Sequence, residues 1–149
     1  MAATARRSAA SFVRAAWLLC LFVAAGGAGP ASDLRSQINY VAAALTAGNA
    51  ADAMTPFSKS FSDYDKLASY FSGLTNAFNI TNEIDFADEE NTAEECRATI
   101  RWSLTLSDLQ TTSLEQRSAD LSVRLTREKG RWKIVELKPI SIFNPSRRS

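Results

Sequence analysis

The chain has 149 residues, 46% of them hydrophobic and 22% charged, which fits a single folded domain and excludes a disordered tract. It contains no histidine, which removes histidine-based catalytic triads and ordinary histidine metal sites. Seventeen basic residues stand against sixteen acidic ones, and the six glycines form no phosphate-binding loop. Nucleic acid and anionic membrane surfaces are therefore not favoured as partners.

The first thirty residues differ in kind from the rest. Arg6, Arg7 and Arg14 are basic, and no acidic residue occurs before Asp33. An apolar run, AAWLLCLFVAA at 15–25, leads into the small residues Gly26-Gly27-Ala28-Gly29-Pro30-Ala31. This order predicts a secretory signal peptide over 1–31, cleaved after Ala28 or Ala31. The apolar run is shorter than the roughly 20 residues of a membrane-spanning helix. The alternative is an uncleaved leader that acts as an N-terminal membrane anchor. The protein is thus expected to be exported, periplasmic or secreted, with a leader of bacterial character and no membrane association once the leader is gone. Cys20 follows Trp17-Leu18-Leu19 and lacks the small preceding residue of a lipid-attachment motif. Cleavage leaves Cys96 as a lone cysteine, so no internal disulfide can form. The leader holds three of the basic residues and none of the acidic ones, leaving fourteen against sixteen and a net charge of −2.

After the leader, Leu34, Ile38, Val41 and Leu45 repeat at helical spacing, predicting a first helix over 33–47. Ser32 or Asp33 is available as its cap, and Gly48 as its stop. A short second helix over 49–57 carries Ala50, Ala53, Met54 and Phe57, with Pro56 near its end. The polar link Ser58-Lys59-Ser60 leads to a third helix with the face Leu67, Tyr70, Phe71, Leu74 and Phe78. Ser62 followed by Asp65 has the spacing of a capping box.

Past Phe78 the period changes to two. Ile80, Asn82, Ile84 and Phe86 form one strand face, and Asp88-Glu89-Glu90-Asn91 is expected to turn the chain. The stretch CRATIRWSLTL at 96–106 places Cys96, Ala98, Ile100, Trp102, Leu104 and Leu106 on one side and polar residues on the other. A polar connection over 107–113 precedes a third strand with Ala119, Leu121, Val123 and Leu125 inward. Glu128-Lys129-Gly130-Arg131 makes a hairpin turn, with Gly130 suited to positive φ. Trp132, Ile134, Val135, Leu137, Ile140 and Ile142 complete a fourth strand, where Ile134-Val135 predicts a bulge and Pro139 an edge or irregular segment. The tail over 144–149 is expected to be flexible. Helices followed by a strand meander give an α+β class, three N-terminal helices packed on a curved antiparallel sheet of about four strands.

This order, with ALTAGNAADAM at the first helix junction and the closing RLTREKGRWKIVELKPI, resembles the nuclear transport factor 2-like superfamily. The superfamily comprises cystatin-like cone-shaped domains and includes ketosteroid isomerase and polyketide cyclases. The resemblance covers 32–143 and implies a cavity between helices and sheet. It implies a pocket wall of Tyr70, Phe71, Trp102, Leu104, Val123 and Trp132. Many members insert a hairpin between the second and third helices, for which residues 58–62 are too few. An isomerase of this fold requires an inward carboxylate and oxyanion donors, and no strand aspartate here has inward parity.

The remaining candidates are sparse. Asp63 and Tyr64, beside Asp65, would supply an acid and a phenol for a cavity enzyme of isomerase, cyclase or dehydratase type, or else simply cap a helix. The acidic group Glu83, Asp85, Asp88, Glu89, Glu90, Glu94 and Glu95 lacks the spacing of a calcium loop. Arg97, Arg101 and Arg124 lie on the outer face, where they pair with Glu95 or Asp120 or grip an anion. That face is also a candidate homodimer interface. No metal and no cofactor is expected. The reading is a non-catalytic module for a small apolar ligand or a protein partner, with the cavity enzyme as alternative.

Overall fold

The computed structural model describes residues 30–146. The expected leader up to Gly29, its Cys20 and the last three residues of the expected tail lie outside the described residues. Three helices precede a four-stranded sheet: α1 Pro30–Thr46, α2 Ala50–Met54 and α3 Tyr64–Ala77, then β1 Phe78–Asn91, β2 Glu95–Asp108, β3 Leu114–Glu128 and β4 Arg131–Lys138. A short 3-10 helix, Ile140–Phe143, ends the chain's regular structure. The strands pair antiparallel in the order β1-β2-β3-β4, a meander that curves around the helices.

Helix α1 buries Leu34, Ile38, Val41 and Leu45, the stripe its spacing demands. It begins at Pro30 rather than at residue 33, because proline's fixed φ and missing N–H suit the first helical position. Ser32 and Asp33 therefore lie inside its first turn and not at its cap. At the other end the amides of Gly48 and Asn49 close on the carbonyls of Leu45 and Ala44, at 3.0 and 2.9 Å, which terminates the helix where expected. Helix α2 is shorter than the expected 49–57. The Asn49 side chain accepts from the Asp52 amide at 3.0 Å, and the helix stops at Met54, two residues before Pro56. In α3 the expected capping box is absent: Asp63 takes the cap position and makes no side-chain capping bond. Phe78 belongs to β1 and not to the helical face, because the chain becomes extended there.

The strands run longer than their apolar alternation suggests. The ladder continues through Glu90↔Arg97 and Asn91↔Cys96, so the acidic segment at 88–91 is strand and the turn falls beyond it. Thr92 organises that turn, accepting at Oγ1 from the Glu95 amide at 3.1 Å. A register shift between Ala87 and Glu90 places Asp88 at φ 41°. On β3 the ladder starts at Leu114, four residues before the expected strand. The β3–β4 turn has both central residues at positive φ, Lys129 at 52° and Gly130 at 78°, the conformation that a two-residue hairpin with right-handed twist requires. Opposite the Arg124/Leu125 register shift, Val135 is the extra residue, as the doubled Ile134-Val135 predicts.

β4 stops at Lys138. Pro139, after a cis peptide bond, cannot continue the ladder, and residues 140–143 form the 3-10 turn instead of more strand. The edge of β4 is covered by the link after α2: Ser58 donates its amide to Ile134 at 2.8 Å, and Ile134 donates to Pro56 at 2.9 Å. The chain beyond Phe143 is tied down as well. Arg117, almost wholly buried, donates from Nη1 to the carbonyls of Ile142 and Asn144, both at 2.8 Å. Pro145 then lies directly over Gly73 of α3, where a Cβ would come within 2.5 Å of the proline Cγ. The flexible segment expected from Asn144 onward can thus begin no earlier than Ser146.

The core runs between sheet and helices, and the residues expected inward on β2, β3 and β4 are buried, Ala119 only partly. Phe143 sits at its centre, fully buried. Replacing it with alanine (Phe143→Ala) removes a ring from a closed site and should cost about 3–5 kcal/mol of unfolding free energy, read from urea denaturation.

Candidate functional site

The interior of the cone is filled by aromatic rings. Phe143 stands edge-on to Trp102 and to Phe71, with ring centroids 5.2 Å apart in each case. Phe71 continues to Phe57 at 6.2 Å, and Phe57 to Phe61 at 5.8 Å. Of the six residues expected to form a pocket wall, Phe71, Trp102, Leu104 and Val123 are buried in this packed core. Tyr70 is half-buried on α3, its ring 5.9 Å from the Lys66 ammonium. Trp132 lies at the core's edge and reaches a surface cleft. The six do not enclose one common space.

The buried indole of Trp102 donates to Asn82 Oδ1 at 2.8 Å. Asn82 uses its amide hydrogens on the Ala42 carbonyl at 2.9 Å and on Thr46 Oγ1 at 3.1 Å. One asparagine therefore joins β2, β1 and α1. Its signal in the sequence was present, a polar residue at an inward position of β1, but only the partners reveal its purpose.

Asp63 and Tyr64 are neighbours in sequence and face different clefts. Asp63 lines one of about 300 Å³ with Arg124, Glu136 and Lys138. Tyr64 lines another of about 560 Å³ with Ser58, Glu128 and Lys133, its ring 6.0 Å from Lys59 Nζ. An acid–base pair needs both groups within hydrogen-bond reach of one bound substrate, and here the two side chains line separate clefts. In the second cleft the buried Ser58 donates from Oγ to Glu128 Oε2 at 2.6 Å, with Ser60 alongside at 2.8 Å. Nothing local in the polar link 58–60 announced this pairing, because Glu128 is seventy residues away.

On the outer face the arginines pair across strands. Arg101 reaches Asp120 at 2.9 Å, and Arg124 bridges Glu95 and Glu136, both at 3.2 Å. Hydrogen bonds from Lys138 and Arg124 hold the Glu136 carboxyl below the usual carboxylate range. The acidic residues of β1 spread along an edge strand, and Glu89 is engaged by Arg35 at 2.8 Å. Among the described residues, no three cysteine or carboxylate side chains gather as a metal site.

A further surface cleft, of about 520 Å³ and mixed polar and apolar lining, lies between α1 and the β3–β4 hairpin. Asp33, Gln37 and Tyr40, spaced to share a helical face, form one wall; Arg127, Arg131 and Trp132 form the other. Gln37 Nε2 donates to the Trp132 carbonyl at 3.1 Å and so fixes the two walls together. The Arg127 guanidinium lies over the Trp132 ring, 5.3 Å from its centroid. Tyr40 is exposed on the rim.

No protein-family model matches the sequence, and no curated protein matches it. Solved structures do. A conserved protein from Planctomyces limnophilus aligns with TM-score 0.65 at 6% identity, over 70% of this chain and 90% of the other. A nuclear transport factor 2-like superfamily protein from Salmonella enterica aligns with TM-score 0.60 at 11% identity, over 71% and 86%. A ketosteroid isomerase-like protein from Erwinia carotovora gives TM-score 0.60 at 8% identity, over 71% and 91%. The shared feature is the fold: three helices ahead of a curved antiparallel sheet.

Burial pushes the Cys96 thiol up to about 11. At pH 8 only about one thiol in a thousand is then thiolate, so Cys96 should resist a thiol reagent in the native state and react fully in denaturant. Glu136 ionises more readily folded than unfolded, so its stabilising contribution is present above the ordinary carboxylate range and is lost as pH falls through the lowered value. Glu136→Gln should flatten the acid limb of the stability–pH profile, measured by thermal melts at descending pH.

Proposed function

We propose that this chain, a domain of nuclear transport factor 2-like fold, is an exported non-catalytic binding module that works through its outer surface. The observation that carries the reading is the ring of Phe143 between Trp102 and Phe71. A ligand in the cone would have to displace that ring and forfeit packing of about 3–5 kcal/mol. Recognition is therefore assigned to the outside of the cone, where mixed apolar and charged clefts are open to solvent. The cavity-enzyme alternative is disfavoured by the separation of Asp63 and Tyr64 into two clefts. Export rests on the basic, apolar and small-residue order of 1–31.

The test is gentle isolation of the protein from an exporting bacterial host, followed by native mass spectrometry and N-terminal sequencing. The expected result is a ligand-free mass for a chain beginning at Gly29 or Ser32. A retained apolar molecule overturns the surface reading, and an N-terminus at Met1 overturns the cleaved leader.

A further inference from the structure

The described residues include seven arginines, and five of them have a carboxylate partner. The two without one are Arg127 and Arg131, which flank the β3–β4 turn and line the same cleft. Lys133 adds a third cation to that wall, donating from Nζ to the Thr55 carbonyl at 2.9 Å. Two acids lie nearby. Asp33 is on the opposite α1 wall, and Glu128, held by Ser58 and Ser60, is the cross-strand partner of Arg131 and lines a neighbouring cleft with Lys129, Arg131 and Lys133. One wall of the cleft thus carries three cations, none of them in an ion pair among the described residues.

The shape adds a second condition. The guanidinium of Arg127 lies over an indole, 5.3 Å from the ring centroid, and a guanidinium stacked on a ring keeps in-plane N–H donors for a carboxylate or phosphate. Tyr40, 46% exposed, offers an apolar face across from these cations. Gln37 locks helix to hairpin, so both halves are present before a ligand arrives. The volume, about 520 Å³, is that of a small-molecule site.

We propose that this cleft binds a small organic anion, a planar apolar group bearing one carboxylate or phosphate. The anionic group lies between Arg127 and Arg131, and the planar group packs on Tyr40. This inference rests on the surface reading above and supplies its ligand class.

The test uses the purified exported protein, titrated with naphthoate and naphthyl phosphate and followed by amide and indole NMR signals. The expected result is saturable shifts at the Trp132 indole and the Gly130 amide, with the Trp102 indole unmoved. Neutral naphthalenemethanol should bind about tenfold more weakly, and Arg131→Glu should weaken naphthoate about tenfold. Arg131→Lys should retain most of the affinity. Arg131 is exposed and has no ion pair, so its variants are expected to fold; unchanged thermal melts verify this. Absence of shifts with either anion overturns the anion site and leaves the surface reading standing. Equal affinity for naphthalenemethanol, or for inorganic phosphate alone, also overturns it. Shifts centred on Trp102 and Phe143 would overturn the surface reading itself.

Discussion

The indole of Trp102 sits with no solvent exposure in the middle of β2, and its N–H must find an acceptor there. Asn82 on the adjacent strand supplies one, and by doing so orients its own amide toward the last turns of α1. The position of α1 over the sheet follows from that orientation. With the helix in place, Gln37 reaches the Trp132 carbonyl and closes the other end of the same interface. A single buried donor thereby sets the spacing of helix and sheet, on which both the ring stack and the surface cleft depend.

A cone built around an indole and four phenyl rings has no need of a ligand to complete it. The C-terminal segment supplies the last ring, and buried Arg117 holds that segment by two carbonyls. A buried guanidinium is costly unless its donors are met, and here the chain end meets them. The likeness to solved structures is one of fold, and in this chain Phe143 packs between Trp102 and Phe71 inside it. The charges divide into two populations. Five of the seven described arginines meet a carboxylate, and two of these, Arg101 and Arg124, do so across strands; the exposed pairs are worth roughly 0–1 kcal/mol each. At the tip of the β3–β4 hairpin, Arg127 and Arg131 make no ion pair among the described residues.

Strand parity was legible from the chain alone. Each of Cys96, Ala98, Ile100, Trp102, Leu104, Leu121, Val123, Leu125, Trp132 and Ile134 is buried as alternation requires. The bulge at Val135 was also visible, because two consecutive apolar residues break the period. Strand ends were not. Glu90 and Asn91 carry no apolar signal and extend β1 only because Arg97 and Cys96 lie opposite them. Arg117 escaped for the same reason: it has inward parity, but it precedes the apolar run that marks β3. The pocket wall inferred from family resemblance failed to close because Phe143 enters it, and nothing in Ile-Phe-Asn-Pro at 142–145 indicates that the chain folds back on α3.

What the amino-acid order determined by itself was the class and order of elements, since periodicities of 3.6 and two are local properties that survive without knowledge of contacts. It also determined the two cysteines, the lack of histidine and the character of the first thirty residues. Only the tertiary structure decided that Phe143 packs between Trp102 and Phe71, that Asp63 and Tyr64 line different clefts, and that Arg127 and Arg131 line one together. Those outcomes depend on which distant side chains meet, and such meetings are set by packing volume and by the geometry of the whole sheet, neither of which a local pattern encodes.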